Sequence, residues 1–190
     1  MSVSDFREQF KKYTTLYAQR AEGKKAIDWL RRNVNKFVPR VNIQNQEFGT
    51  FARQLVPGKF YVYGYDPKWK DVLPIYDKFP YVLVTSINME NFSFHGINFH
   101  YLPREVRVEI FAALYDIATS TKIPGNKKDG LIWRRVSRIA AALGNDKHLN
   151  GAIKMYLFSH VMTRFIQVPK EDWALTAFLP IARMYTNKQK

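Results

Sequence analysis

Between Lys59 and Tyr101 the chain carries aromatic and β-branched residues in short runs bounded by turn residues, and on both sides of that stretch its apolar residues recur at helical spacing. This change of period separates a strand-like centre from helix-like flanks. It predicts an α+β fold: a small bent antiparallel sheet or partly open barrel, flanked by N- and C-terminal helices. With 190 residues, 46% of them hydrophobic and 15% aromatic, the chain is long and apolar enough to bury a core.

Charge follows the same division. Thirty Lys and Arg face sixteen Asp and Glu, a net charge of +14. Residues 1–40 hold ten basic and four acidic side chains, 41–103 five of each, and 104–190 fifteen and seven. The surplus therefore sits on the helical arms and avoids the centre, the balance expected of a protein that meets a polyanion. No cysteine is present, which removes disulfides, thiolate metal sites and thiol nucleophiles together and fits a reducing compartment. No stretch approaches the roughly twenty apolar residues of a membrane span, and MSVSDFREQFKK has no apolar signal region. A soluble protein with no membrane partner is expected.

The organisation read along the chain is a basic helical arm over 1–40, a polar connector over 41–55 and a compact domain over 56–190, its β part 56–102 and its helical part 103–190. In the arm, Phe6, Phe10, Tyr13 and Tyr17 mark a first helix, broken near Gly23. Ile27, Leu30, Val34 and Phe37 or Val38 mark a second, which Pro39 ends. Lys24, Lys25, Arg31, Arg32 and Lys36 lie mostly on its other side. A docked helix with a solvated face is the ordinary outcome for such a pattern. The scarcity of acids on that face favours an arm lying along phosphates.

Pro57-Gly58 signals a turn, Lys59–Tyr65 and Tyr81–Ile87 read as strands, and Asn88–Asn91 as a hairpin turn leading into a return strand, Phe92–Tyr101. On that strand Phe92 and Phe94 share one face and Ile97, Phe99 and Tyr101 the other, with a bulge expected at Gly96. Pro103 opens a helix with Val106, Ile110, Ala113 or Leu114 and Ile117 inward. Thr119–Gly130 reads as a loop. Leu131–Leu143 is helical, with Ile132, Val136, Ile139, Ala140 and Leu143 inward, Arg134, Arg135 and Arg138 outward, and Gly144 as its cap. Asn145 or Asp146 is expected to start a further helix reaching about Phe158, followed by a short strand at Phe165–Val168 and a last helix opened by Pro169, Glu171 and Asp172 and stopped by Pro180.

The strongest candidate surface is the set Lys122, Lys127, Lys128, Arg134, Arg135 and Arg138, which would place several cations at phosphate spacing and bind in a salt-dependent, sequence-independent way. His95, His100, His148 and His160 show no ligand spacing and read as structural. Asp66, Asp71 and Asp77 share one loop and are conceivable carboxylate ligands for a nuclease metal, but Lys68, Lys70 and Lys78 are interleaved with them and solvated loop acids are the expected reading. Tyr61, Tyr63, Tyr65, Trp69, Tyr76 and Tyr81 offer a stacking platform for unpaired bases. The neutral charge of that segment counts against it, and core packing is the more ordinary role. Phosphate-loop, dinucleotide, hydrolase-elbow and zincin motifs are absent from the sequence. No catalytic residue, metal or cofactor is assigned.

PGKFYVYGYDP, LPIYDKFP and GINFHYLP, and more weakly IKMYLFSHV and EDWALTAFLPIARM, resemble segments of small proteins of large contractile-tailed bacteriophages. The resemblance covers about two thirds of the chain and excludes the N-terminal arm. It implies a phage product, in the virion or the host cytoplasm, that handles DNA or sits where packaged DNA meets the head or neck. Three functions follow as expectations. The first is a non-enzymatic protein binding double-stranded DNA through basic helices and guarding a genome end. The second is a structural component of neck, baseplate or capsid, involved in head completion and contacting other virion proteins through its N-terminal helices. The third is a metal-dependent nuclease. The resemblance carries no catalytic residues with it.

Overall fold

The structure, a computed structural model, describes residues 16–34, 55–73, 75–179 and 185–187. Its elements in chain order are α1 (Leu16–Val34), β1 (Phe60–Val62), β2 (Ile75–Asp77), β3 (Tyr81–Asn88), β4 (Ser93–Asn98), α2 (Arg104–Thr119), α3 (Gly125–Asn145), β5 (Ile153–Leu157), β6 (Ile166–Gln167), α4 (Trp173–Thr176) and β7 (Tyr185–Asn187). Five strands form one antiparallel sheet in the order β5-β4-β3-β1-β6, and β2 pairs with β7 in a separate ribbon. The α+β expectation holds, and the five-stranded sheet is not closed into a barrel. Residues 158–168 carry the chain from the β5 edge to the β6 edge. They bond to Tyr65 and Gly64 on the way, through the Tyr65–Val161 bridge and the Met162 amide on the Gly64 carbonyl.

Strand alternation builds two cores from one sheet. Phe60, Val62, Tyr81, Leu83, Ile97 and Phe99 face α1, α2, α3 and α4. Tyr61, Tyr63, Val82, Val84, Phe94 and Tyr156 face the opposite way and are covered by Leu55, Phe158, Val161 and the partly buried Phe165. Every residue of β1 is buried, as a strand enclosed on both faces must be. Phe60 sits at the centre of the helix-side core, with Phe99, Phe111 and Trp173 at ring distances of 4.9, 5.0 and 5.1 Å. In the other core Phe94 stacks on Tyr156 at 5.2 Å. Tyr61, Tyr63 and Tyr81 are thus core residues, with Tyr65 packed partly buried against the same core, so they offer no base-stacking platform; of the expected set Tyr76 is half-buried and Trp69 exposed.

The β3–β4 hairpin carries the expected irregularity, on the partner strand. Val84 pairs with Gly96 and Ser86 with His95, so Thr85 is the extra residue. That one residue shifts the phase and lets Val82, Val84 and Ile87 share a core. Gly96 is required opposite them: a Cβ there would lie 2.2 Å from Val82 Cγ1 and 2.8 Å from the Leu83 carbonyl oxygen. Phe92, at the hairpin tip with φ 45°, is half-exposed and does not join Phe94 in the core.

Several local expectations are overturned. α1 runs unbroken through Gly23, which packs near the Phe178 carbonyl; the helix is anchored by tertiary contacts that outweigh a single glycine. Among its described side chains Ala26 and Trp29 are buried and the expected Leu30 packs partly buried against the same core, with the Trp29 indole donating to Asp172 Oδ2 at 2.8 Å. α3 begins at Gly125, so Lys127 and Lys128 are helical and not in a loop; Pro124 fixes the entry, and the Lys127 amide already bonds to its carbonyl. Gly144 lies inside α3, which ends at Asn145 with Asp146 extended after it. The segment expected to be helical up to Phe158 is instead β5, because IKMYL fits either period and the free edge of β4 captures it, from Ile153 opposite Ile97 to Leu157 opposite Ser93. Phe6–Tyr13, Lys36, Phe37, Val38, Pro39, residues 41–54, Pro74 and Pro180 lie outside the described residues.

Candidate nucleic-acid interface

α3 reads GNKKDGLIWRRVSRIAAALGN, five cations and one acid in 21 residues. Ile132, Val136 and Leu143 are buried against the core, with Ile139 and Ala140 partly so, which fixes the opposite face outward. At 3.6 residues per turn Lys127, Arg134 and Arg138 fall within about 40° of one another and extend about 16 Å along the axis. All three are exposed, as are Arg135 on the adjoining flank and Lys122 in the connection before the helix. Lys128 is different: it is partly buried, and its ammonium donates to the Ala118 carbonyl at 3.1 Å. A cation at the last turn of α2 compensates unsatisfied carbonyls there and closes the α2–α3 hairpin.

The one acid, Asp129, is neutralised from outside the helix by Lys59 Nζ at 2.6 Å. Lys59 belongs to the tight turn that seats α3 on the sheet. Gly58 adopts φ 88°, and a Cβ there would meet Ile132 Cγ2 at 3.1 Å and the Trp133 backbone at 3.6 Å. This pins the middle of the helix. Trp133, the next residue, is 48% exposed. It was not singled out by the sequence, although it falls outside the inward set that the helical period defines.

The α1 cations belong to a different anchorage. Lys24, Lys25, Arg31 and Arg32 are exposed on a helix held through Trp29 to Asp172, and Arg31 lies 3.5 Å from Asp28. Not all of the C-terminal surplus is surface. Arg107 is buried, and Lys154 sits 4.3 Å over the Tyr101 ring, where burial lowers its ammonium pKa.

The three aspartates do not converge. Asp66 is paired with Lys70 at 2.8 Å. Asp77, read from sequence as a solvated loop acid, is 5% exposed. Its Oδ2 accepts from Asn98 Nδ2 at 3.0 Å and lies 2.6 Å from His100 Nδ1, while Oδ1 accepts from the Phe79 amide. Asn98 also reaches Tyr156 OH at 3.0 Å. This network ties β2 to the sheet, so His100 serves a structural role, as does His160, whose Nδ1 lies 2.7 Å from the Asp66 carbonyl oxygen. Among the described residues no group of three His, Cys, Asp or Glu is placed to hold a metal, and no helix is long and apolar enough to cross a membrane.

A neutral, two-cored aromatic sheet that presents an exposed cationic helix defines a basic α+β module with a face suited to a polyanion. The family described as Phage T4 terminal DNA protecting protein matches residues 1–190, and the chain belongs to it. The resemblance to proteins of contractile-tailed phages, read from the β segment, thereby extends over the whole chain. No curated protein and no solved structure matches.

Proposed function

We propose that this protein shields the ends of phage DNA without chemistry of its own, by lying on the duplex through the outer face of α3, with the exposed cations of α1 adding to the same field. The single observation that supports this reading is the alignment of Lys127, Arg134 and Arg138 on one exposed helix face, with Arg135 and Lys122 beside them and the helix's one acid already neutralised by Lys59. A solvated face normally mixes signs; this one does not. Such a face neutralises phosphates and releases counterions, so affinity falls steeply with salt and ignores sequence. Membership of a terminal DNA protecting family supplies the biological direction. The protein would act in the host cytoplasm or from the virion.

The test is a titration of blunt duplex at several salt concentrations with wild type and the triple variant R134A/R135A/R138A. Wild type binds, the variant loses most affinity, and its slope of log affinity against log salt is shallower by about three. Absence of wild-type binding at ~50 mM salt would sink the reading. In parallel, bound wild type slows degradation of linear duplex by an added exonuclease, and the variant does not.

A second reading, association with a head or neck protein, is favoured by the loop at 66–73, where Trp69, Val72 and Leu73 are exposed together. It predicts copurification with a virion component that survives high salt and is lost on Trp69→Ala.

A further inference from the structure

The phosphodiesters that flank a duplex end are the same as those in its interior, so a cationic stripe that neutralises them binds everywhere along DNA. What marks an end is the bare face of the last base pair, which elsewhere is covered by its neighbour. Recognition of an end therefore calls for a flat apolar surface held rigidly beside the cations. Trp133 meets each part of that requirement. Its ring is 48% exposed, on the flank of α3 about 100° around the helix from Arg134. Its backbone follows the buried Ile132 and runs near the Gly58 turn, where an added Cβ would come within 3.6 Å of the Trp133 nitrogen. Asp129, one turn earlier on the same flank, is masked by Lys59, so no unpaired carboxylate of α3 faces a DNA strand there. The Ser137 hydroxyl on the following turn donates to the Trp133 carbonyl, leaving a small side chain between the indole and the arginine face.

Resting on the phosphate-binding role of α3, we propose that Trp133 stacks on the terminal base pair of a DNA duplex whose backbone lies against Lys127, Arg134 and Arg138, so that the protein reads an end and not a sequence. Trp69 is the competing aromatic, at 62% exposure. Its ring carries its own Lys68 ammonium at 5.3 Å, and its loop holds Asp66 and Asp71 against Lys68 and Lys70, so it has no net cationic field to hold a strand. Stacking of a base on an aromatic side chain corresponds to about tenfold in affinity.

The test compares a short duplex open at both ends with the same stem closed at both ends by hairpin loops. Wild type binds the open duplex about tenfold more tightly. Trp133→Ala binds both at the level of the closed stem, Trp133→Phe keeps most of the preference, and Trp69→Ala behaves as wild type. With 2-aminopurine in the terminal pair, wild type changes its fluorescence on binding and Trp133→Ala does not; an interior label responds to neither. Circular dichroism and melting of the Trp133 variants, which alter an exposed side chain, verify the fold. Equal wild-type affinity for both duplexes, or a preference retained in folded Trp133→Ala, overturns the proposal while leaving phosphate binding intact. Failure to bind either duplex overturns the phosphate reading and this one with it.

Discussion

Gly96 shows how one residue holds the sheet in register. Its missing side chain lets β3 pass closely enough for Val82 and Leu83 to enter opposite cores, and the extra Thr85 beside it absorbs the mismatch. A methyl group at 2.2 Å from Val82 Cγ1 has backbone on its other side, so it cannot be accommodated by a rotamer change. Gly96→Ala is expected to destabilise the fold by about 2–3 kcal/mol, read as a lower urea midpoint with an unchanged slope. The sequence pointed to this glycine as a place of irregularity. It could not say which strand carries the extra residue, because that depends on the partner's side chains. Asp77 was less legible still: three lysine-flanked aspartates look alike in a row, and only the approach of Asn98 and His100, 21 and 23 residues away, takes one of them out of water.

Among the elements, α3 separates cations that hold the fold from cations that are free to meet a ligand. Lys127 and Lys128 are adjacent in sequence and about 100° apart around the helix. Lys128 reaches the end of α2, whereas Lys127 faces outward with the arginines. Lys128→Ala is expected to lower stability by about 1 kcal/mol with little effect on duplex affinity. Lys127→Ala should do the reverse, keeping the unfolding midpoint and weakening DNA binding, which thermal melts and a titration at one salt concentration distinguish. Helical period alone identified the outward arginines and the inward set from Ile132 to Leu143. It did not identify β5, since a five-residue apolar run acquires its conformation from the strand edge that receives it.

For the molecule as a whole, enclosure of the sheet on both faces takes many tyrosines out of water. Burial raises the phenol pKa of Tyr63, Tyr81 and Tyr156 above the ordinary value of 10.0, while the unfolded chain ionises at that value. The native state therefore keeps these protons when the unfolded state has lost them. Their contribution to stability is complete below pH 10 and is lost as pH climbs beyond it. Tyrosinate absorbance is expected to rise in two stages, the exposed phenols first and the buried ones only together with loss of the far-ultraviolet signal. A single smooth stage preceding unfolding would contradict the two-sided core.

By itself, the order of residues determined the class of fold, the position of the main hairpin, the two long C-terminal helices, the segregation of charge and the outward grouping of Arg134, Arg135 and Arg138. Each of these is written in local spacing, which the backbone periods of 3.6 and 2 convert directly into faces. Only the tertiary structure decided which faces are covered and by what. It buried Trp29 on Asp172, closed the second core with residues 158–165, neutralised Asp129 with Lys59 and left Trp133 exposed on the flank of α3. Those outcomes depend on contacts between residues 70 and 143 positions apart, and no local pattern encodes such a partner.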